Sequence, residues 1–194
     1  MSTKAAGPIG ILALQGAFAA HQPPLAALGH EVLWVRAALE LRACAGLVLP
    51  GGESSVQLQL LLREGLVDEV VAFAAARKPV LATCAGLILA AASVQDPEQR
   101  SLSLLDVTVR RNAWGRQIAS FEAKDDDGML PVVAIRAPRI TCVGPGVEVL
   151  ATLAKEPIWV RQGSVTGVTF HPELTADLTV HASVFGRGEL RKAA

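Results

Sequence analysis

Residues 79–91 read P-V-L-A-T-C-A-G-L-I-L-A-A and decide the fold. A short apolar run ends at Thr83, and a second run with a helical composition begins just after Cys84. A strand that turns sharply into a helix is the repeating unit of an α/β sheet. The cysteine at this turn has two interpretations. It is either a small buried hydrophobe, as free cysteines commonly are, or a nucleophile held at a strand-to-helix elbow.

The segments before this stretch repeat the alternation of strand and helix. Strand-like apolar runs and helix-like runs follow one another, with strands at 9–14, 31–36, 46–50 and 80–83 and helical patterns in 15–29, 37–43, 55–77 and 85–93. The strands lack alternation of polar and apolar residues, which is typical of strands covered on both faces. We therefore predict an α/β fold in which helices flank both faces of a mostly parallel sheet.

The second half of the chain has a different pattern. Strand-like segments are separated by turn signals such as D-D-D-G and G-P-G, at 104–110, 117–122, 132–136, 147–153, 158–161 and 165–170. This pattern predicts an antiparallel extension of the sheet, with a final helix after Pro172. No linker, repeat or low-complexity tract interrupts the chain, so we expect one domain over residues 1–194.

The composition excludes several classes of function. Lys plus Arg and Asp plus Glu number 18 each, and Tyr is absent, so no basic surface interleaved with aromatic residues is expected to bind nucleic acid. The apolar runs are too short to span a membrane, and no secretion signal opens the chain. The three widely spaced cysteines fit neither a disulfide framework nor a metal site, and the four histidines lack ligand-like spacing. We expect a cytoplasmic protein with free thiols and no metal.

The three cysteines differ in their position relative to the predicted strands. The tripeptide C-A-G occurs twice, and Cys44 precedes a strand whereas Cys84 follows one. Cys142 lies within or beside a strand, with no helix after it. Functional groups of open α/β sheets gather at the carboxyl ends of the strands, and a helix N-terminus there favours a thiolate. Cys84 is therefore the candidate nucleophile, with Ala82 in the position where such elbows usually carry Gly.

A thiol nucleophile needs a base and a group that orients the base. His171 follows a strand in F-H-P-E-L-T, and Glu173 lies two residues further, on the same side of an extended segment. Alone, H-P-E is more often a turn, but beside a cysteine elbow it completes a triad. The P-G-G-E-S segment at 50–54 is either a tight turn or a loop that presents a backbone N–H to an oxyanion. These residues indicate a cysteine hydrolase of the acyl-transfer class.

Together, P-G-G-E-S, T-C-A-G and F-H-P-E resemble the class I glutamine amidotransferases. L-A-L-Q-G near the start, R-R-N-A-W-G-R-Q at 110–117, S-F-E-A at 120–123 and I-R-A-P at 135–138 narrow the resemblance to the glutaminase subunits of pyridoxal 5′-phosphate synthase. The resemblance implies a three-layer class I glutaminase-like (flavodoxin-like) fold and a Cys84, His171 and Glu173 triad. It also implies that L-glutamine is bound by Gly51, Gly52, Glu53, Arg111, Ile135 and Arg136.

The resemblance further implies the reaction and the partner. L-Glutamine would be hydrolysed to L-glutamate and ammonia through a γ-glutamyl thioester on Cys84, without a cofactor. The ammonia would pass to a synthase subunit, a TIM barrel that makes pyridoxal 5′-phosphate in a hetero-oligomeric complex. The chain departs from the family pattern at Ala82, Trp114 and Ala119. The alternatives are a stand-alone cysteine hydrolase of γ-glutamyl compounds and an inactive regulatory subunit.

Overall fold

The computed structural model describes residues 7–111 and 120–186. Its twelve strands are β1 (Ile9–Leu12), β2 (Val32–Val35), β3 (Gly46–Leu49), β4 (Val80–Thr83), β5 (Ala91–Gln95), β6 (Leu105–Arg110), β7 (Ser120–Lys124), β8 (Pro131–Ile135), β9 (Arg139–Val143), β10 (Glu148–Leu153), β11 (Glu156–Gln162) and β12 (Val165–Val168). The α-helices are α1 (Gln22–Ala27), α2 (Ala38–Arg42), α3 (Ser54–Arg63), α4 (Val67–Ala75), α5 (Ala85–Ala90) and α6 (Thr179–Phe185). Two 3-10 helices cover Phe18–His21 and Pro172–Leu174.

The main sheet has seven strands in the order β10-β11-β12-β4-β3-β1-β2. The five strands from β12 to β2 pair in parallel, whereas β10 and β11 pair antiparallel at one edge. This arrangement confirms the predicted mostly parallel sheet with an antiparallel extension. β12, from the second half of the chain, lies directly beside β4, and Val168 pairs with Thr83. The parallel pairing brings the carboxyl ends of these two strands together.

Apolar side chains cover both faces of the main sheet. Successive residues of a strand join opposite cores: Leu47 and Leu49 lie in one cluster with Leu61 of α3, whereas Val48 between them packs in the other cluster with Phe185 of α6. Strands buried on both faces must be apolar throughout, because side chains alternate across the sheet. This is the physical reason for the continuous apolar runs seen in the sequence.

The second half of the chain also forms two small sheets that the sequence analysis did not distinguish from the extension. One has the order β5-β6-β9, and the other pairs β7 with β8. β9 was not predicted as a separate strand. The predicted strand at 117–122 is observed only from Ser120, because residues 112–119 lie outside the described ranges.

Two helix predictions were too long. The helix predicted at 85–93 ends at Ala90, and Ala91–Gln95 instead forms β5, which pairs with β6 and buries Val94. Tertiary pairing here overrides the helical preference of an alanine-rich segment. The pattern at 55–77 contains two helices, which separate around Gly65, a residue with a positive φ of 65°. Glycine adopts this conformation without the steric cost that other residues meet.

Within the two described ranges, no helix has both the length and the apolar character needed to cross a membrane.

Candidate active site

Cys84 lies at a sharp turn between β4 and α5. Its φ of 48° and ψ of −104° place a residue other than glycine in a strained region of backbone conformation. The Cys84 N–H donates a 2.9 Å hydrogen bond to the carbonyl of Val168 in β12, which fixes the turn against the neighbouring strand. A Cβ at Gly86 would clash with the Leu49 carbonyl, so the turn requires glycine there. Strain of this kind is typical of functional sites and matches the predicted nucleophile elbow.

His171 and Glu173 lie beside this turn, just beyond the end of β12. Their side chains are joined by a 2.7 Å hydrogen bond between His171 Nδ1 and Glu173 Oε1. Cys84 and His171 line the same cleft, where the Cys84 Sγ lies 3.9 Å from the carbonyl oxygen of Ile135. An extended segment was predicted for His171 and Glu173, but the chain instead turns here. The 3-10 turn Pro172–Leu174 directs the Glu173 carboxylate back to the imidazole ring.

His171 and Glu173 each stabilise the charged form of the other. Burial alone would lower the pKa of His171, but its hydrogen bonds with Cys84 and Glu173 outweigh burial and raise the pKa to about 10. Burial would raise the pKa of Glu173, but the hydrogen bond from His171 and the interaction with His21 hold it below its usual value. At neutral pH the pair is therefore an imidazolium and a carboxylate.

Two further histidines lie behind Glu173. His21 Nε2 is 3.6 Å from Glu173 Oε2, and His21 Nδ1 is 3.0 Å from His181 Nε2. Burial lowers the pKa of both histidines to about 4, so both are neutral at neutral pH. The sequence analysis assigned no role to either residue. They are 160 positions apart, and no local spacing links them.

The Pro-Gly-Gly loop closes one side of the site. A Cβ at Gly51 would clash with the His171 ring, so only glycine allows this close approach. The Gly51 carbonyl accepts a 3.0 Å hydrogen bond from the Ala17 N–H, and the Glu53 N–H donates a 3.0 Å bond to Gln15 Oε1. The segment after β1 thus holds the loop in one conformation.

Glu53 and Arg111 are paired with each other across the cleft. Arg111 Nη2 is 3.0 Å from Glu53 Oε1, and Arg111 Nη1 donates a 2.8 Å hydrogen bond to Gln99 Oε1. Glu53 also caps α3 by accepting a 3.1 Å bond from the Val56 N–H. Burial opposes ionisation of Glu53, but bonds from Ser55 and Val56 outweigh it and lower the pKa. Both side chains were expected to face substrate groups, and their pairing was not predicted.

A cleft of about 290 Å³ connects these groups. Its lining brings together Cys84, His171 and five of the six residues expected to bind glutamine, namely Gly52, Glu53, Arg111, Ile135 and Arg136. The sixth, Gly51, lies behind them against His171. The cleft also includes residues that the sequence analysis did not select for substrate binding, namely Gln15, Ala17, Ser54, Ala85, Ile88 and Leu174. The cleft is small and mixed in polarity, which suits a substrate the size of an amino acid.

Comparisons with known proteins identify the family of this chain. The model of the SNO glutamine amidotransferase family matches residues 11–187. The chain belongs to the SNO glutamine amidotransferase family. Among similar proteins, pyridoxal 5′-phosphate synthase subunit PdxT of Koribacter versatilis is 51% identical over 177 residues, 89% of this chain and 91% of the relative. The subunit of the same name from Desulforudis audaxviator is 47% identical over 178 residues, 89% of this chain and 94% of the relative.

A solved structure gives the same assignment. A crystal structure of a glutamine amidotransferase superposes with a TM-score of 0.86 at 42% identity, and the alignment covers 92% of this chain and 97% of the other. The predicted family and fold are therefore confirmed. The departures at Trp114 and Ala119 lie outside the described residues, whereas Ala82 is buried in β4, two residues before Cys84.

The other two cysteines of this family member lie away from the cleft. Cys44 is buried and donates a hydrogen bond to the Glu40 carbonyl, and burial raises its pKa to about 11. Cys142 is exposed on β9. Over residues 7–111 and 120–186, no group of three or more His, Cys, Asp or Glu side chains is arranged to hold a metal ion.

The buried histidines predict an acid-sensitive stability. His21 and His181 have pKa values of about 4 in the folded chain, below the ordinary value of 6.5. The unfolded chain therefore binds more protons, so the stability present above pH 6.5 is lost as pH falls toward about 4. The raised pKa of His171 has the opposite sign, and its contribution is lost as pH rises toward about 10. Urea unfolding at a series of pH values measures the free energy of unfolding and so tests both the acidic and the alkaline loss of stability.

The matched variant is His21→Gln, which removes one of the buried groups that titrate. Its free energy of unfolding should depend less steeply on pH between 6.5 and 4 than that of the wild-type chain, by about one proton. Equal slopes for the two chains would contradict the assignment of a neutral, buried His21.

Proposed function

We propose that this chain is the glutaminase subunit of a pyridoxal 5′-phosphate synthase. In this proposal it hydrolyses L-glutamine to L-glutamate and ammonia at Cys84 and delivers the ammonia to a synthase subunit. One observation carries the proposal: Cys84 of a strained elbow and His171 of a buried His171–Glu173 pair line the same cleft, in a chain of this family. The names of its relatives supply the biosynthetic context.

The first half of the reaction forms a thioester. The Cys84 sulfur, as thiolate beside the His171 imidazolium, attacks the carbonyl carbon of the glutamine side-chain amide. The tetrahedral intermediate carries a negative charge on oxygen. His171 then donates a proton to the amide nitrogen, the C–N bond breaks, and ammonia leaves. Glu173 holds the imidazole with Nδ1–H toward Oε1, so that Nε2 faces the sulfur.

The second half of the reaction restores the enzyme. Neutral His171 takes a proton from a water molecule, and the resulting hydroxide attacks the γ-glutamyl thioester. Collapse of this second tetrahedral intermediate breaks the C–S bond and releases glutamate. The sulfur departs as a thiolate, and His171 is again the imidazolium. Throughout the cycle, the buried Glu173 carboxylate stabilises the charge on the ring.

The cleft residues would bind the amino-acid end of glutamine. The guanidinium groups of Arg111 and Arg136 suit the α-carboxylate, and the Glu53 carboxylate suits the α-ammonium. Because Glu53 and Arg111 are already paired at 3.0 Å, a zwitterionic substrate would meet preformed positive and negative partners. Gly51, Gly52 and Ile135 would contribute backbone groups near the reacting amide.

The Pro-Gly-Gly loop is the proposed source of oxyanion stabilisation. Its conformation is set by hydrogen bonds from the segment of residues 15–17, and both Gln15 and Ala17 line the cleft. A partner that contacts this segment can therefore change the loop that faces the substrate. We propose that the synthase docks near Gln15 and the loop, and that docking completes the oxyanion hole and raises an otherwise low glutaminase activity.

The proposal treats residues 1–194 as one cytoplasmic glutaminase domain without a cofactor. Its partner is a TIM-barrel synthase subunit in a hetero-oligomeric complex, which uses ammonia with a pentose phosphate and a triose phosphate. Direct transfer within a complex has a chemical reason: free ammonia in neutral water is mostly protonated and therefore a poor nucleophile.

Glutamate release tests the proposed function. We expect slow release from L-glutamine by the chain alone, a sharp rise when the synthase subunit is added, and a loss of at least about a thousandfold in Cys84→Ala, because the thioester cannot form. Release is measured enzymatically over time. Cys142→Ala is the matched control, since it removes an exposed thiol outside the cleft, and it should retain full activity.

Two results would contradict the proposal in different ways. Glutamate release that is equally fast with and without the synthase, and that extends to larger γ-glutamyl compounds, would indicate a stand-alone hydrolase. No release with or without the synthase would indicate an inactive regulatory subunit.

The docking hypothesis predicts that Gln15→Ala weakens activation by the synthase. The substitution removes the acceptor of the Glu53 N–H, a hydrogen bond of about 1 kcal/mol, so activation should require roughly three- to tenfold more synthase. Gln59→Ala is the control, since Gln59 is exposed on α3. Titration of glutamate release with the synthase measures the effect. Equal activation curves for the wild type and Gln15→Ala would contradict the hypothesis.

A further inference from the structure

A buried row of polar side chains continues from the triad into the protein interior. Cys84 and His171 line the same cleft, and His171 is hydrogen-bonded to Glu173. Beyond them lie His21, at the end of the 3-10 helix Phe18–His21, and His181 in α6. The side chains of His21 and Glu173 are fully buried, and His181 has no exposed surface. The row therefore joins the reacting sulfur to the packing of two elements outside the triad.

The two carboxylate oxygens of Glu173 face different histidines. Oε1 accepts the 2.7 Å hydrogen bond from His171, whereas Oε2 is buried and has no hydrogen-bond partner among the described residues. A buried carboxylate oxygen without a donor is costly. His21 Nε2 faces it at 3.6 Å, just beyond hydrogen-bond distance. Catalytic hydrogen bonds are often long before substrate binds and shorten in the complex.

The hydrogen-bond pattern selects one tautomer for each of the two histidines. His181 Nδ1 is buried and unpartnered among the described residues, so it is best left as a lone pair, and the proton belongs on Nε2. His181 Nε2–H then donates to His21 Nδ1 at 3.0 Å, which puts the His21 proton on Nε2, facing Glu173. The opposite pair of tautomers would bury an unpaired Nδ1–H on His181 and would turn a lone pair of His21 Nε2 toward the carboxylate.

We infer that His21, held by His181, is a positioning residue that donates to Glu173 Oε2 and thereby keeps the carboxylate oriented toward His171 during catalysis. The inference rests on the proposed glutaminase function. It adds a buried chain of hydrogen bonds from His181 through His21 to Glu173, which we call the relay. The Thr83 hydroxyl lies within hydrogen-bond distance of His21 Nε2, at 3.4 Å, so the same N–H is shared between Thr83 Oγ1 and Glu173 Oε2. Thr83 immediately precedes Cys84. His21 thus contacts both β4, which leads to the nucleophile, and the carboxylate that supports the base.

The relay depends on neutral imidazoles. The titratable groups near His21 and His181 are Glu173 and His171, and burial keeps both pKa values at about 4. A second positive charge beside the His171 imidazolium would compete for Glu173. Neutral His21 supplies a donor without this competition, so the carboxylate remains available to stabilise the charged ring.

The test compares two variants at position 21 in the complex with the synthase. His21→Phe keeps an aromatic ring but removes the donor, and it should lower kcat about tenfold with KM nearly unchanged, as is common when the outer partner of an active-site group is lost. His21→Gln retains an amide N–H near the position of Nε2, and it should restore most of kcat. His30→Phe is the matched control, because His30 also contacts α6, through a 2.8 Å hydrogen bond with the Phe185 carbonyl.

A second readout does not require glutamine or the synthase. The chain has four histidines, so an NMR titration of ring-labelled histidine can follow His171 in each variant. His171→Gln provides the assignment of its signal. Without the donor from His21, Glu173 supports the imidazolium less well. The pKa of His171 should fall from about 10 by about one unit in His21→Phe and recover in His21→Gln.

These outcomes separate the relay from simple packing. A drop in kcat together with a lower pKa of His171, both restored by Gln, supports the relay. An unchanged His171 titration, or equal losses in His21→Phe, His21→Gln and His30→Phe, overturns it. If the wild-type complex releases no glutamate while the His171 titration still responds to His21, the proposed function fails and the relay stands.

Discussion

The site depends on one buried negative charge, the carboxylate of Glu173. Its side chain is fully buried, yet it remains ionised because His171 donates to it at 2.7 Å and the charge of that ring is adjacent. A buried charge without such compensation would be strongly destabilising. The same pairing holds His171 in the orientation that faces Cys84. In the proposed mechanism, the hydrogen bond that compensates this buried charge is therefore also the one that orients the base.

The sheet topology makes this pairing possible. β4 and β12 come from opposite halves of the chain but lie side by side in parallel, and the Cys84 N–H bonds to Val168 at the end of the pair. Cys84 directly follows β4, and His171 lies three residues beyond the end of β12. The proposed nucleophile and base therefore meet at two adjacent strand ends, although they are 87 positions apart in the sequence (171 − 84). The Pro-Gly-Gly loop follows β3, the strand on the other side of β4, so all three parts of the site meet at one edge.

The sequence could predict the parts of the site that follow from local pattern. Apolar strands predicted a covered parallel sheet, and the strand-to-helix turn identified Cys84 as the candidate nucleophile. It could not predict contacts between distant elements. The pairing of β5 with β6 ended a helix early, and Glu53 pairs with Arg111, although both side chains were expected to face substrate groups. His21 and His181 had no spacing signal, because they lie in the 3-10 helix Phe18–His21 and in α6, which meet only in the folded chain.

The central claim is that Cys84, supported by His171 and Glu173, is the nucleophile toward the glutamine side chain. The most direct measurement is mass mapping of the complex after reaction with a diazoketone analogue of glutamine, which alkylates a reactive thiolate with loss of nitrogen gas. The account predicts one adduct, on the peptide that contains Cys84, and protection by L-glutamine. Modification of the exposed Cys142 with Cys84 left free, or an adduct on Cys84 that glutamine does not prevent, would contradict it.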